Sequence, residues 1–169
     1  MKKLILLAVF TALFTGLKAQ EPLSFEKVIT VDSVYKNDIY STIKQWFALN
    51  YPSKYVLEVD DRETGLIIAN LMTDYDIKGF AYTSYCGKLK FSIRTQIKDS
   101  RYKVIITNFE HVSRGINNIG LLTNSEKPFK AFNSKRDIVV WNDLKQKSTY
   151  LADDIFKLFE NLKFKSDNW

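Results

Sequence analysis

Hydrophobic and polar residues alternate most strictly between Lys88 and Val112, KLKFSIRTQIKDSRYKVIITNFEHV, which reads as a β-hairpin. Its first arm sends Leu89, Phe91, Ile93, Thr95 and Ile97 to one side and Lys88, Lys90, Ser92, Arg94 and Gln96 to the other, the period of two of a half-buried antiparallel strand. Lys98-Asp99-Ser100-Arg101 supplies turn formers for a two-residue or four-residue connection, and either length leaves Ile97 opposite Tyr102. Continued at period two, that register adds Tyr102, Val104, Ile106 and Asn108 to the apolar face and Lys103, Ile105, Thr107, Phe109 and His111 to the basic one. A three-residue loop would exchange the two sets. Val104, Ile105 and Ile106 are apolar in a row, which marks the second arm as an interior strand covered in part on both sides.

The period lengthens on either side of this hairpin. Ile39, Ile43, Trp46, Phe47 and Asn50 recur at helical spacing after the turn and capping residues Asp32-Ser33 and Lys36-Asn37-Asp38, and Pro52 closes the run. Ile138, Trp141, Leu144, Ser148, Leu151, Ile155, Leu158 and Leu162, widened by Phe156 and Phe159, predict a second helix of roughly seven turns. Phe25 to Thr30, with Val31, reads as a first strand. Tyr55 to Asp60 and Leu66 to Met72 read as a strand pair joined by Asp61-Arg62-Glu63-Thr64-Gly65, where Gly65 is available for a positive φ. Asp76 to Gly87, with Phe80, Tyr82 and Tyr85, suggests an edge strand or an aromatic loop. Ser113 to Lys135 is too rich in Gly and Asn for a regular element; it is expected to pack across the domain or to bind. The order strand, helix, four or more antiparallel strands, helix gives an α+β fold. It is an antiparallel sheet of about five strands with two helices on one face, the face carrying Leu89, Phe91, Ile93, Val104 and Ile106, and the other face open.

Composition changes this picture at the N-terminus. Lys2 and Lys3, the apolar run Leu4 to Phe14 and the small residue Ala19 have the layout of a cleaved export signal, and the run is too short to span a bilayer. No cysteine stands near the cleavage point to accept a lipid. Residues 1–19 are therefore expected to be removed, leaving one globular domain, 20–169, soluble in the periplasm or outside the cell, with no transmembrane segment. Losing three lysines from 25 basic residues leaves 22 against 19 acidic ones, so the net charge falls from +6 to +3. That balance is ordinary and gives no argument for nucleic acid. Cys86 is the only cysteine, so no intramolecular disulfide is possible, and it reads as a small buried residue before a strand.

Few residues point to catalysis. His111 is the only histidine, and no third group can be named to join it with Cys86. The same shortage of His and Cys argues against a zinc site. Glu58, Asp60, Asp61 and Glu63 cluster but lack calcium-loop spacing and read as solvated turn charges, and Gly79 and Gly87 do not fit a phosphate loop. No enzyme activity and no cofactor are expected. The open face has no partner in the chain: Lys88, Lys90, Arg94, Lys103 and His111 stand there beside Ile105 and Phe109. Such a surface suits an anionic glycan, a lipid headgroup or an acidic protein. An alternative makes Phe80 to Tyr85 and Ile116 to Leu122 a lid over a small hydrophobic ligand.

Phe25-Glu26-Lys27-Val28-Ile29-Thr30-Val31-Asp32 with Ser33, Tyr40, Trp46-Phe47, the stretch from Asp60-Asp61 to Gly65-Leu66-Ile67, and Asn108-Phe109-Glu110-His111 carry a family resemblance. The chain resembles the exported Bacteroidetes family catalogued as domain of unknown function 4468, with Ala69-Asn70 standing where that family would have glycine. The resemblance implies a TATA-binding-protein-like fold and an exported lineage, with no assigned activity. Nucleic-acid binding does not follow from it, because a TATA-box saddle needs two repeats and apolar wedges, and this chain holds one unit behind an export signal. Asp32-Ser33-Val34 also resembles the acceptor motif for O-glycosylation of exported proteins in that lineage, which makes Ser33 a candidate modification site.

Overall fold

The computed structural model of the protein describes residues 20–51, 56–128 and 134–164. The expected export segment, 1–19, lies outside them, as do Pro52, Phe129 and Phe132. Six strands, β1 (Phe25–Thr30), β2 (Leu57–Asp61), β3 (Leu66–Tyr75), β4 (Gly87–Lys98), β5 (Arg101–Ser113) and β6 (Gly120–Leu121), form one antiparallel sheet in the order β1-β5-β4-β3-β2. The two-residue β6 also pairs with β5, beyond the end of β1. Helices α1 (Lys36–Asn50) and α2 (Lys135–Glu160) cover one face, so the fold is the expected α+β layer.

The β4–β5 hairpin turns through two residues, Asp99-Ser100, with Lys98 opposite Arg101 and Ile97 opposite Tyr102. Ser100 takes a positive φ of 60° there. The turn is also a hub. Ser100 accepts from the Val31 amide at 2.9 Å and donates to the Val34 carbonyl at 2.9 Å, and the Asp99 carboxylate accepts from the Lys36 amide at 2.8 Å. Asp99 thus caps α1 from the hairpin turn, distant in sequence, because Tyr35 at the cap position has no side-chain bond to offer. Gly65 closes the β2–β3 turn at φ +76°, where a Cβ would stand 2.5 Å from the Ile97 carbonyl oxygen, so only glycine fits.

One expectation of the register fails midway along β5. Lys90 pairs with Glu110 but Ser92 pairs with Thr107, so two residues, Asn108 and Phe109, oppose Phe91 alone. Asn108 adopts φ +57°, a conformation that asparagine tolerates better than branched residues, and this extra residue forms a β-bulge. Beyond it the side chains exchange faces. Phe109 and His111, expected on the open basic face, are fully buried, and Asn108, expected in the core, is exposed. Phe109 stacks on Phe91 with ring centroids 5.8 Å apart and meets Phe25 edge-on at the same distance.

Helix α2 runs for 26 residues, about 39 Å, from a capping box in which Ser134 and Asp137 bond reciprocally. Its buried line is Val140, Trp141, Leu144, Ser148, Ala152, Ile155, Phe156 and Phe159, while Leu158 is exposed. The expected series alternated steps of three and four, which drifts by roughly 20° per heptad around a straight helix. After Ser148 the drift carries Ala152, Phe156 and Phe159 into the contact and turns Leu158 out. Trp141 anchors this layer, with its indole N–H donating to the Ser125 carbonyl at 3.2 Å. Of the two readings of Asp76 to Gly87, the aromatic loop holds and the edge strand does not: the stretch before β4 contains a 3-10 turn, Phe80–Tyr85, set against the end of the core through Tyr85.

Candidate functional site

The uncovered face of the sheet is built row by row from residues paired across strands. At its middle, a hydrogen-bonded ladder crosses four strands. Asn108 donates to the Ser92 hydroxyl at 3.4 Å, Ser92 donates to the Asn70 carbonyl oxygen at 2.8 Å, and Asn70 donates to Glu58 at 2.8 Å. Ala69-Asn70 finds its reason here, since Ala69 is buried under the helices and Asn70 is a rung of the ladder. The neighbouring row, Glu26, Ile105, Arg94, Ile68 and Val59, sets a single cation among aliphatic side chains.

The basic residues of this face divide into two groups. Lys88 pairs with Asp74 at 2.9 Å, Lys90 with Glu110 at 3.8 Å and Lys103 with Glu26 at 3.4 Å. Asp74 also faces Arg114 at 3.6 Å, and Lys88 first, then Arg114, hold its carboxyl below the usual range. Arg94, Lys98 and Arg101 have no acidic partner among the described residues, and all three are exposed. Lys98 and Arg101 stand directly opposite each other, a like-charge pair that costs stability unless something anionic lies over it. Beside them Val28, Gln96, Lys98, Arg101, Tyr102 and Lys103 line a cleft of about 260 Å³. That is smaller than the ~300–1,000 Å³ of enclosed ligand pockets, so it suits one protruding group and not a whole small molecule.

Lys88, Lys90, Arg94, Lys103 and Ile105 do share this face, while Phe109 and His111 lie on the other side of the sheet. His111 is a core residue with both ring nitrogens engaged. The Ile119 amide donates to Nδ1 at 3.1 Å, so the proton sits on Nε2 and is donated to the Tyr85 carbonyl at 2.7 Å. Tyr75 meets the ring edge-on at 5.1 Å. Lys98 and Arg101, which the sequence pattern assigns to the turn, also stand on this face, and their facing charges are the signal for them.

The remaining sequence candidates disperse. Asp60 bonds Tyr40 and pairs with Lys44 at 2.5 Å, Asp61 closes its own turn by accepting from Thr64, and Glu58 joins the ladder. Burial alone would raise the Asp60 pKa, but its bonds to Lys44 and Tyr40 outweigh that and lower it. Burial also raises the Tyr40 and Tyr75 phenols far above their ordinary range, reinforced by the bonds to Asp60 and Asp143, so neither is poised to exchange a proton. Cys86 is half-buried, its sulfur 4.0 Å from the Ile77 carbonyl. Ser33 lies in an exposed turn at φ +61°. Of the two segments expected as a lid, Tyr85, Ile119 and Leu122 are buried in the core while Phe80 and Ile116 are exposed. Among the described residues no helix is long and apolar enough to cross a membrane.

Residues 25–112 match the family model described as domain of unknown function (DUF4468) with TBP-like fold. Two crystal structures share the architecture. One is a TBP-like protein from Parabacteroides distasonis, with a TM-score of 0.60 at 13% identity over 84% of this chain and 95% of that one. The other is a DUF4468 family protein from Bacteroides ovatus, with a TM-score of 0.59 at 13% identity over 92% of this chain and 97% of that one. No curated protein matches the sequence.

Proposed function

We propose, for a chain that belongs to the DUF4468 family with TBP-like fold, a non-catalytic exported module that binds an anionic glycan on its open sheet face. The observation that carries this reading is the split among the cations. Three lysines are neutralised in place by Asp74, Glu110 and Glu26, while Lys98 and Arg101 are left unanswered at the hairpin end beside a shallow cleft, with Arg94 about 13 Å further along β4 on the same face. A carboxylate or sulfate seated there would relieve the repulsion between Lys98 and Arg101, and the amide and hydroxyl rungs of the ladder extend donors and acceptors across the middle of the sheet for sugar hydroxyls.

Retention on an immobilised acidic polysaccharide tests the reading. The protein should bind at low salt and elute as salt rises, and Arg94→Glu combined with Arg101→Glu should abolish retention while leaving the circular dichroism spectrum unchanged. Retention that survives this double reversal would remove the hairpin end from consideration.

A further inference from the structure

The opposite end of the sheet exposes the two most solvent-accessible apolar side chains of the described residues, and they lie on adjoining loops. Phe80 is 100% exposed and Ile116 93%. Isolated exposed apolar residues are common, but two at nearly full exposure on one end of a molecule are not explained by a shortage of polar surface. The loops are joined directly: Asn117 donates to the Ser84 hydroxyl at 2.8 Å and the Arg114 amide to the Cys86 carbonyl at 2.9 Å. Ser84 is four residues along the 3-10 turn from Phe80, a rise of about 8 Å, so both tips stand on one braced platform.

Each tip repeats the same short pattern, a cation, a glycine and an apolar residue: Lys78-Gly79-Phe80 and Arg114-Gly115-Ile116. The first turn of α2 lies against this platform through the bond from the Tyr85 hydroxyl to Asp137 at 3.1 Å, and it brings exposed Lys135 and Arg136. With Lys88 these make five cations, against two exposed acids, Asp74, already shared by Lys88 and Arg114, and Asp76.

We propose that this end docks on the surface of an anionic phospholipid bilayer, with Phe80 and Ile116 entering the boundary between headgroups and acyl chains and the cations resting on lipid phosphates. Apolar tips each flanked by a cation are what such an interface rewards. Burial of each tip gains hydrophobic free energy, and each adjacent Lys or Arg gains from the negative surface potential. This surface is separate from the hairpin end, so the glycan reading and this one stand or fall independently.

Vesicle flotation decides it, using the chain from Gln20 onward, which holds every residue of the described core. The protein should float with vesicles of phosphatidylcholine containing about one-third phosphatidylglycerol and stay behind with phosphatidylcholine alone. Phe80→Ser with Ile116→Ser should weaken partitioning roughly tenfold or more at an unchanged melting temperature, since neither side chain contributes to the core. Lys78→Glu with Arg114→Glu should do the same in a salt-dependent way, and Arg94→Glu with Arg101→Glu should have no effect. The proposal is overturned by absence of flotation with anionic vesicles, or by flotation that the Phe80/Ile116 pair does not alter. It is equally overturned if sedimentation shows that the pair disrupts a dimer, because a second copy would then be the occupant.

Discussion

The two faces of the sheet handle polarity in opposite ways. On the covered face polar groups are few and most are answered by fixed partners. The Tyr102 hydroxyl donates to the Phe159 carbonyl at 2.7 Å, Tyr75 donates to Asp143 at 2.7 Å, and His111 is bonded through both nitrogens. Thr95 and Ser148 are the exceptions, with buried hydroxyls that have no partner among the described residues. On the open face three lysines are answered by acids in half-exposed pairs that water can replace at little cost, and Arg94, Lys98 and Arg101 are left without an acidic partner among the described residues. The covered face therefore carries the stability, and the open face is free to be shaped by what it meets.

The sharpest way to break this contrast is Trp141→Ala. Truncating a fully buried indole between α2 and the sheet should cost about 3–5 kcal/mol in a denaturant titration, enough to threaten folding. A cost near that of a surface substitution would mean that α2 does not hold the covered face together. The margin between the two faces is probed by Asp60, whose pKa is depressed in the folded state. Its contribution is present above the unfolded carboxylate pKa, about 3.9, and is lost as pH falls through the lower folded value. Asp60→Asn should accordingly lower stability at neutral pH and flatten the acid limb of the stability profile below about pH 4, measured by melting temperature against pH. The smallest effect belongs to the open face. Lys90→Ala removes a half-exposed ion pair and should change stability by no more than about 0.5 kcal/mol, a difference that a double-mutant cycle with Glu110→Ala would resolve.

How far the molecule is legible in its sequence can be traced along β5. From Arg101 to Thr107 alternation and a two-residue turn give the register and both faces, because every residue there obeys period two. The spacing of the large apolar residues then changes, from two between Val104 and Ile106 to three between Ile106 and Phe109, with Asn108 inside the gap. That lengthened step is the trace of the bulge, and a reading at fixed period passes over it. The helix α2 shows the same limit at another period, where apolar side chains alone did not distinguish a 3.5-residue repeat from the 3.6 of a straight helix. The candidate site was legible in composition but not in pairing. Lys88, Lys90 and Lys103 are basic in the sequence, yet only the cross-strand register shows which acids neutralise them and which cations are left.

The division of one edge of β5 between β1 and β6 has a kinetic consequence. The strands β2 to β5 follow one another in the chain and can zip together through connections of two to eleven residues, whereas β1 must find Arg101 to Ile106 across seventy to eighty intervening residues. Loop-closure entropy makes that the late event, so the meander forms first and the amino-terminal strand docks last, completing the sheet on a nucleus that is already in place.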